Sequence, residues 1–321
     1  MHFFLEQWFD SSKQIKVKTS GSTGVPKTLK LKKEHMINSA KATGEYFSLN
    51  ENTTALSCLS TSFIAGKMML VRAMVLGWYL DIVEPSSRPL EELDKLYDFS
   101  AMVPLQLINS LDKINRIKTL LVGGGVVSNK LQSKIMDLPT KIFATYGMTE
   151  TITHVAIKPL NTSAGLNPES DFYQTLSNIN ISSNDRDCLV IDAPKISEQI
   201  IVTNDIVEIF SDNKFKWLGR FDNIINSGGI KLIPEQIERK LNKIVSQRFF
   251  ISGLPDEILG KKIVLIIEGV IQDQDNLKFQ ISNLKSIHKY EIPKEVYFID
   301  RFEETKTKKI QRNKTLDLLN I

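Results

Sequence analysis

Apolar and polar positions along the first half of the chain fall into two alternating rhythms. Short runs rich in branched and aromatic residues, at 55–59, 78–83, 101–103, 119–122 and 141–144, read as strands. Between them, apolar residues recur at three- and four-residue spacing over 34–47, 66–76, 89–97, 104–111 and 129–136, which reads as helices. Strand and helix in turn predict a largely parallel sheet covered by helices. Ahead of this series, Ile15-Lys16-Val17-Lys18 alternates as a strand does. From about 161 to 192, Asn, Ser and Asp cluster and predict loops and short strands. A boundary is expected near Phe221 or Asp222. Past it, a helix is predicted over 233–241, with Pro234 at a likely first helical position. Strands over 249–252 and 262–267 and a helix over 276–287 follow. The fold class is therefore α/β in two parts. Residues 1–221 form a large N-terminal domain with mostly parallel sheets, and residues 222–321 a small C-terminal α+β domain.

Composition narrows the class. A chain of 321 residues, 42% hydrophobic and 24% charged, can bury a sizeable core as an ordinary globular protein. A formal net charge of +4 suits small anionic substrates without calling for nucleic acid. Basic residues are scattered apart from a cluster at 306–314. Cys58 and Cys188 lack metal-ligand spacing and read as free thiols in a reducing compartment. The first ten residues have no basic stretch followed by a long apolar one, and the most apolar window, 63–80, is interrupted by Lys67 and Arg72. Neither a signal peptide nor a membrane span is expected, and the cytoplasm is the expected location.

One run concentrates chemistry. Thr19-Ser20-Gly21-Ser22-Thr23-Gly24-Val25-Pro26-Lys27 packs two glycines, four hydroxyls and a lysine into one loop. Glycines let successive N–H groups converge on an anion, hydroxyls add donors, and lysine adds a point charge suited to phosphate. Gly21, Lys27 and Thr28 fit the G-x-x-x-x-G-K-[ST] pattern, but Pro26 stands where its second glycine belongs. Proline has no N–H and a fixed φ, so a conventional P-loop is disfavoured. A plain Gly/Ser turn is the alternative.

The run resembles the phosphate loop of the adenylate-forming superfamily: acyl-CoA synthetases, peptide-synthetase adenylation domains and luciferases. Three later segments resemble that superfamily's motifs, in its order. Tyr146-Gly147-Met148-Thr149-Glu150-Thr151 matches its Y-G-x-T-E motif. Trp217-Leu218-Gly219-Arg220-Phe221-Asp222, with Ser227-Gly228-Gly229-Ile230-Lys231 and Pro234-Glu235-Gln236-Ile237-Glu238, matches its hinge region. Lys308-Lys309-Ile310-Gln311-Arg312 resembles its terminal G-K-I-x-R motif, with Lys308 in place of the glycine. The superfamily usually places a substantial subdomain before the phosphate loop, so the N-terminal domain is expected to be shortened.

The resemblance implies ATP and Mg²⁺ as cofactors and coenzyme A as co-substrate. It implies roles for Thr19, Ser20, Gly21, Ser22, Thr23, Gly24 and Lys27 on the β- and γ-phosphates, Thr149 on the α-phosphate, and Glu150 on Mg²⁺. Tyr146 and Gly147 belong to the nucleotide site through their motif. Gly123, Gly124 and Gly125 would approach the adenine, or simply make a tight strand-to-helix turn. Asp205, in Val202-Thr203-Asn204-Asp205, would accept from the ribose hydroxyls, or be an ordinary turn residue. Arg220 would add a contact to ribose or phosphate. Lys309 would be the catalytic lysine bridging carboxylate and α-phosphate, or part of a solvated basic tail. Asp222 would be the hinge about which a C-terminal lid turns. Gly228 and Gly229 would let backbone approach a pantetheine arm, or make a hairpin turn.

Within the superfamily the chain is most similar to o-succinylbenzoate–CoA ligases of menaquinone biosynthesis. Phe63-Ile64-Ala65-Gly66 followed by Arg72, and Val103-Pro104-Leu105-Gln106-Leu107, carry that similarity, with Phe63 and Ala65 departing from the H-x-S-G pattern. Phe63, Gly66 and Arg72 are the expected substrate residues. A dicarboxylate needs a cation for its second carboxylate, and Arg72 in an apolar helix meets that need. A buried ion pair or a helix-surface arginine is the alternative. Other function classes are an acyl-CoA synthetase or carrier-protein adenylation enzyme for another acid, and a non-catalytic nucleotide-binding homologue.

Overall fold

The computed structural model describes residues 1–18, 28–167, 171–270, 273–305 and 309–319. The phosphate-loop run at 19–27 and Lys308 lie outside the described residues.

Helix α1 (His2–Phe9) precedes strands β1 (Gln14–Lys18) and β2 (Thr28–Lys32), which pair antiparallel as a separate two-stranded ribbon. One face buries Ile15, Val17 and Leu31. The other exposes Lys16, Lys18 and Lys30, and Lys16 stands directly opposite Lys30. The strand expected at 15–18 is present, but it leads into a hairpin rather than a parallel sheet.

Then come α2 (Lys33–Phe47), β3 (Thr54–Ser57), α3 (Ile64–Leu76), β4 (Tyr79–Ile82), β5 (Tyr97–Met102), α4 (Pro104–Asn109), β6 (Ile117–Val122), α5 (Asn129–Ile135) and β7 (Lys141–Gly147). Strands β4, β3, β5, β6 and β7 lie side by side and all run parallel. Strands β8 (His154–Pro159) and β9 (Tyr173–Thr175) add antiparallel partners. Strands β10 (Asn180–Ser183), β11 (Cys188–Asp192), β12 (Ile201–Ser211) and β13 (Lys214–Arg220) complete an eleven-stranded sheet in the order β10-β11-β12-β13-β9-β8-β7-β6-β5-β3-β4.

One helix expected here is absent. Residues 89–92 make a turn, and Tyr97 opens β5, four residues before the strand expected at 101. Leu90 is buried and Leu93 packs beside it, but Leu96 is 65% exposed, so the apolar stripe that suggested a helix has no third member to bury. Tyr97 and Phe99 are buried in the sheet instead, and the Tyr97 hydroxyl donates to Asp81 at 2.9 Å.

The remaining elements are β14 (Ile225–Ser227), β15 (Ile230–Leu232), α6 (Pro234–Leu241), β16 (Phe249–Asp256), β17 (Gly260–Glu268), α7 (Gln274–Ser282), β18 (Glu295–Ile299) and α8 (Arg312–Asp317). Pro234 occupies the first turn of α6, where its missing N–H costs nothing. Strand β17 pairs antiparallel with β16 and parallel with β18. Helix α7 stops at Ser282 rather than 287, because the Asn283 side chain donates to the Phe279 carbonyl at 2.8 Å and closes the last turn.

The chain forms two compact units. Unit 1 comprises Met1–Ser182, Val190–Val202 and Ile209–Lys216; unit 2 comprises Ser183–Leu189, Thr203–Glu208 and Trp217–Ile321. In unit 1, successive residues of one strand enter different cores: Leu120 and Ile142 join Leu56 and Met102, while Leu121 and Phe143 join Ala55 and Phe99. That is the mark of a parallel sheet covered on both faces. Unit 2 repeats the device, with Ile263 and Leu265 in one core and Val264 and Ile266 in another. Both cysteines are buried free thiols, and burial pushes Cys58 up to about 12. Among the described residues, no helix is long and apolar enough to cross a membrane.

Candidate active site

In unit 1 the carboxyl ends of the parallel strands gather the expected residues, where ligands bind in open α/β sheets. Gly123, Gly124 and Gly125 follow β6, and the Gly123 N–H donates to the Met102 carbonyl at 3.1 Å. A Cβ on Gly123 would fall 2.5 Å from Thr145 Oγ1, and one on Gly147 would fall 2.2 Å from the Thr153 carbonyl oxygen. These two glycines are required by packing whatever else they do. Gly66 is of the same kind, since its Cβ would lie 2.3 Å from the Ser60 carbonyl oxygen. Gly125 borders only Pro104 at 3.6 Å, so its surroundings tolerate a side chain. Tyr146 sets its ring edge-on to Phe215 at 5.1 Å, and Phe215 stacks on Tyr173 at 5.5 Å.

Thr149 and Glu150 sit in the turn after β7, where Glu150 is exposed and Thr149 half-buried. Thr151 pins that turn: its Oγ1 accepts from the Met148 N–H at 2.9 Å and lies 2.7 Å from the Thr153 carbonyl. The next residue, Ile152, is buried with φ at +66°. A β-branched residue there is strained, and such strain collects at functional sites. Magnesium takes most of its ligands from phosphate and water, with one or two protein carboxylates. The exposed Glu150 fits that sparing demand, and no group of three His, Cys, Asp or Glu is assembled for a metal among the described residues.

Arg72 lies in α3 and is 2% exposed. Its Nε donates to Thr43 Oγ1 at 3.2 Å; its other nitrogens stand 3.5 Å from Thr153 Oγ1, 3.5 Å from His154 Nδ1 and 3.8 Å from Met69 Sδ. Every one of these partners is neutral or held neutral. Burial, with the Arg72 charge beside it, holds His154 well below its usual range, and burial alone brings Arg72 down to about 10. Among the described residues no carboxylate pairs with this guanidinium, so the expected alternative of a structural ion pair finds no partner. Phe63 and Gly66 stand at the first turn of α3; Gly66 is roughly 9 Å along the helix from Arg72 at 1.5 Å per residue.

Unit 2 brings the other candidates together. Asp205 on β12 is buried and accepts from Trp217 Nε1 at 3.1 Å. Arg220 reaches Asp205 at 3.5 Å with one arm and Asp222 at 3.2 Å with the other. Asp222 also accepts from Asn204 Nδ2 at 3.2 Å. Lys309 is half-buried; its N–H donates to Thr305 Oγ1 at 3.1 Å, and Glu304 bridges to Ile310 beside it. Burial and then the Arg220 charge hold the Lys309 amine below its usual range, with Asp205 pulling the other way. Gly228 and Gly229 have φ of +56° and +80° and form the two-residue turn between β14 and β15. Positive φ at both positions is what such a turn demands.

Thr43, Thr153, His154, Asn204 and Trp217 carry the geometry around these candidates without having been singled out for it. A histidine opening the apolar run His154-Val155-Ala156-Ile157 was the available signal for one of them.

Comparison with known proteins places the chain. Residues 19–175 match the family described as AMP-binding enzyme. The chain is 38% identical to the acyl-CoA synthetase (AMP-forming)/AMP-acid ligase II-like protein of Dyadobacter fermentans, over 99% of this chain and 93% of that one, with a TM-score of 0.65. It is 25% identical to a 2-succinylbenzoate–CoA ligase of Listeria monocytogenes, over 97% of this chain and 71% of the relative. An o-succinylbenzoate coenzyme A synthetase of Bacillus subtilis, solved in complex with ATP and magnesium ion, shares the fold at a TM-score of 0.79 and 20% identity, over 94% of this chain and 69% of that one.

Proposed function

The chain belongs to the AMP-binding enzyme family, and on that premise we propose that it is an ATP-dependent carboxylate–CoA ligase working through an acyl-adenylate, with o-succinylbenzoate as the acid. Arg72 carries the choice of acid. A buried guanidinium with no counter-ion among the described residues is costly, and a substrate with a second carboxylate offers an anion for it. The curated relatives named 2-succinylbenzoate–CoA ligase support the same acid.

Adenylation brings a carboxylate against a triphosphate, so the protein's task is positioning and charge compensation. In this reading Lys309 offsets the two anions, Asp205 accepts from the ribose, and Arg220 adds a contact to ribose or phosphate. The loop at 19–27 and Thr149 hold the phosphates. Mg²⁺ neutralises phosphate charge when bound, and Glu150 is the residue that would hold it. Gly123 to Gly125, with Tyr146 and Gly147, border the adenine. Coenzyme A then attacks the acyl carbon and AMP leaves. Asp222 is the hinge between the two steps, and Gly228 and Gly229 face the pantetheine arm.

Pyrophosphate exchange with a panel of mono- and dicarboxylates, coenzyme A being added afterwards, tests this. Exchange is expected with o-succinylbenzoate above all others, followed by thioester. Equal exchange with aromatic monocarboxylates would overturn the acid; exchange without thioester would overturn the acceptor.

A further inference from the structure

Two chain segments meet on one pair of carboxylates in unit 2. Glu235 and Glu238 stand on α6, one turn apart. Arg312, at the start of α8, reaches Glu238 at 2.9 Å and Glu235 at 3.6 Å, and donates to the Ile251 carbonyl at 3.1 Å. Glu238 also accepts from the Ile251 N–H at 2.8 Å, which fixes its own orientation. From the other side, Asn223 Nδ2 donates to Glu235 at 2.5 Å. Asn223 closes the short turn Phe221–Asn223 that follows Arg220. Glu235 is thus held by a residue three after Lys309 and by a residue three after Arg220.

The second oxygen of Glu235 is buried and has no hydrogen-bond partner among the described residues. It occupies the space beside Gly219, where an added Cβ would lie 2.4 Å from it. The carboxylate is spent on holding segments together, at the expense of one unpaired oxygen. Among the described residues the Lys309 side chain has no such anchor. Its backbone is tied by Thr305, whose N–H donates to the Lys309 carbonyl at 2.9 Å, and by Arg312 further on.

The geometry points to Arg312 as a positioning residue for Lys309: through Glu235 and Glu238 it sets where the segment carrying the lysine stands relative to Arg220 and Asp205. This rests on the proposed role of Lys309 in acyl-adenylate formation. A fork-shaped guanidinium is needed, because it engages Glu235, Glu238 and the Ile251 carbonyl at once, which an ammonium on a flexible stem does not.

The test measures both half-reactions in single turnovers for Arg312→Lys, Asn223→Ala and Lys309→Ala. A misplaced lysine should slow acyl-AMP formation on the order of 10- to 100-fold, the cost of about an ångström of misalignment. Thioester formation from presynthesised acyl-AMP should change by less than about threefold, since that step does not use Lys309. Arg312→Lys keeps the charge, and Asn223→Ala keeps the arginine while loosening the other side of Glu235, so either variant suffices if the other folds poorly. Equal loss in both half-reactions by Arg312→Lys and Asn223→Ala, with Lys309→Ala still selective for the first, would overturn the inference and leave the Lys309 role standing. No selectivity in Lys309→Ala would overturn the role itself, and the inference with it.

Discussion

Two arginines, Arg72 fully buried and Arg312 half-buried, are treated in opposite ways. Arg312 in unit 2 lies among two carboxylates and a carbonyl. Arg72 in unit 1 lies among two threonines, a methionine and a neutral histidine. The first is complete within the protein, and its charge does structural work. The second is surrounded by groups that orient it without neutralising it. Among the described residues this buried cation has no anion beside it, which is the observation on which the proposed substrate role of Arg72 rests.

Removing each charge should separate the two. Arg312→Leu would strand Glu235 and Glu238, and about 3 kcal/mol of stability should go, at the lower end for breaking a buried pair because Arg312 keeps some exposure. Chemical denaturation measures it; unchanged stability would mean the carboxylates are relieved elsewhere. Arg72→Leu should leave stability unchanged or raise it, since no anion among the described residues is orphaned. It should instead raise KM for o-succinylbenzoate by an order of magnitude or more, the loss of a charge-assisted bond of roughly 1.5–3 kcal/mol. KM for ATP and for monocarboxylates should move little. Loss of stability with acid preference intact would make Arg72 a structural residue after all.

Acidity sharpens the contrast further. His154 is held well below 6.5 in the folded protein, so the unfolded chain takes a proton that the folded one refuses as pH falls below that value. Stability should therefore decline from about pH 6.5 downward, by at most about 1.4 kcal/mol per pH unit from this group. His154→Gln should flatten that slope by up to one proton; an unchanged slope would place the titration elsewhere. Glu238 has the opposite sign: burial raises it, so its contribution is present at low pH and lost as pH rises through its raised value.

The parallel half of the sheet was legible because its strands are apolar runs and its helices are long enough to show a stripe. Strands β8, β12, β13 and β18 were not singled out. In β12 the buried and exposed positions do not alternate cleanly, and Thr203 and Asp205 are polar yet buried. The helix expected at 89–97 failed because spacing alone cannot say whether Leu96 has anything to bury against. Among the site candidates, Arg72 was legible as a cation in an apolar stretch. Its surroundings were not: Thr43, Thr153 and His154 lie 29, 81 and 82 residues from it, and only the fold joins them.

The β1–β2 ribbon has a consequence for how the protein responds to its medium. Three exposed lysines share one face, and Lys16 faces Lys30 across the strands, so the ribbon is held by its buried face against its own repulsion. A polyanion settling beside it removes that repulsion as well as making its own contacts. Any such binding would be coupled to local folding, and dissolved salt would compete for the same relief. The ribbon should open more readily in dilute buffer than in concentrated salt, and a triphosphate should close that gap.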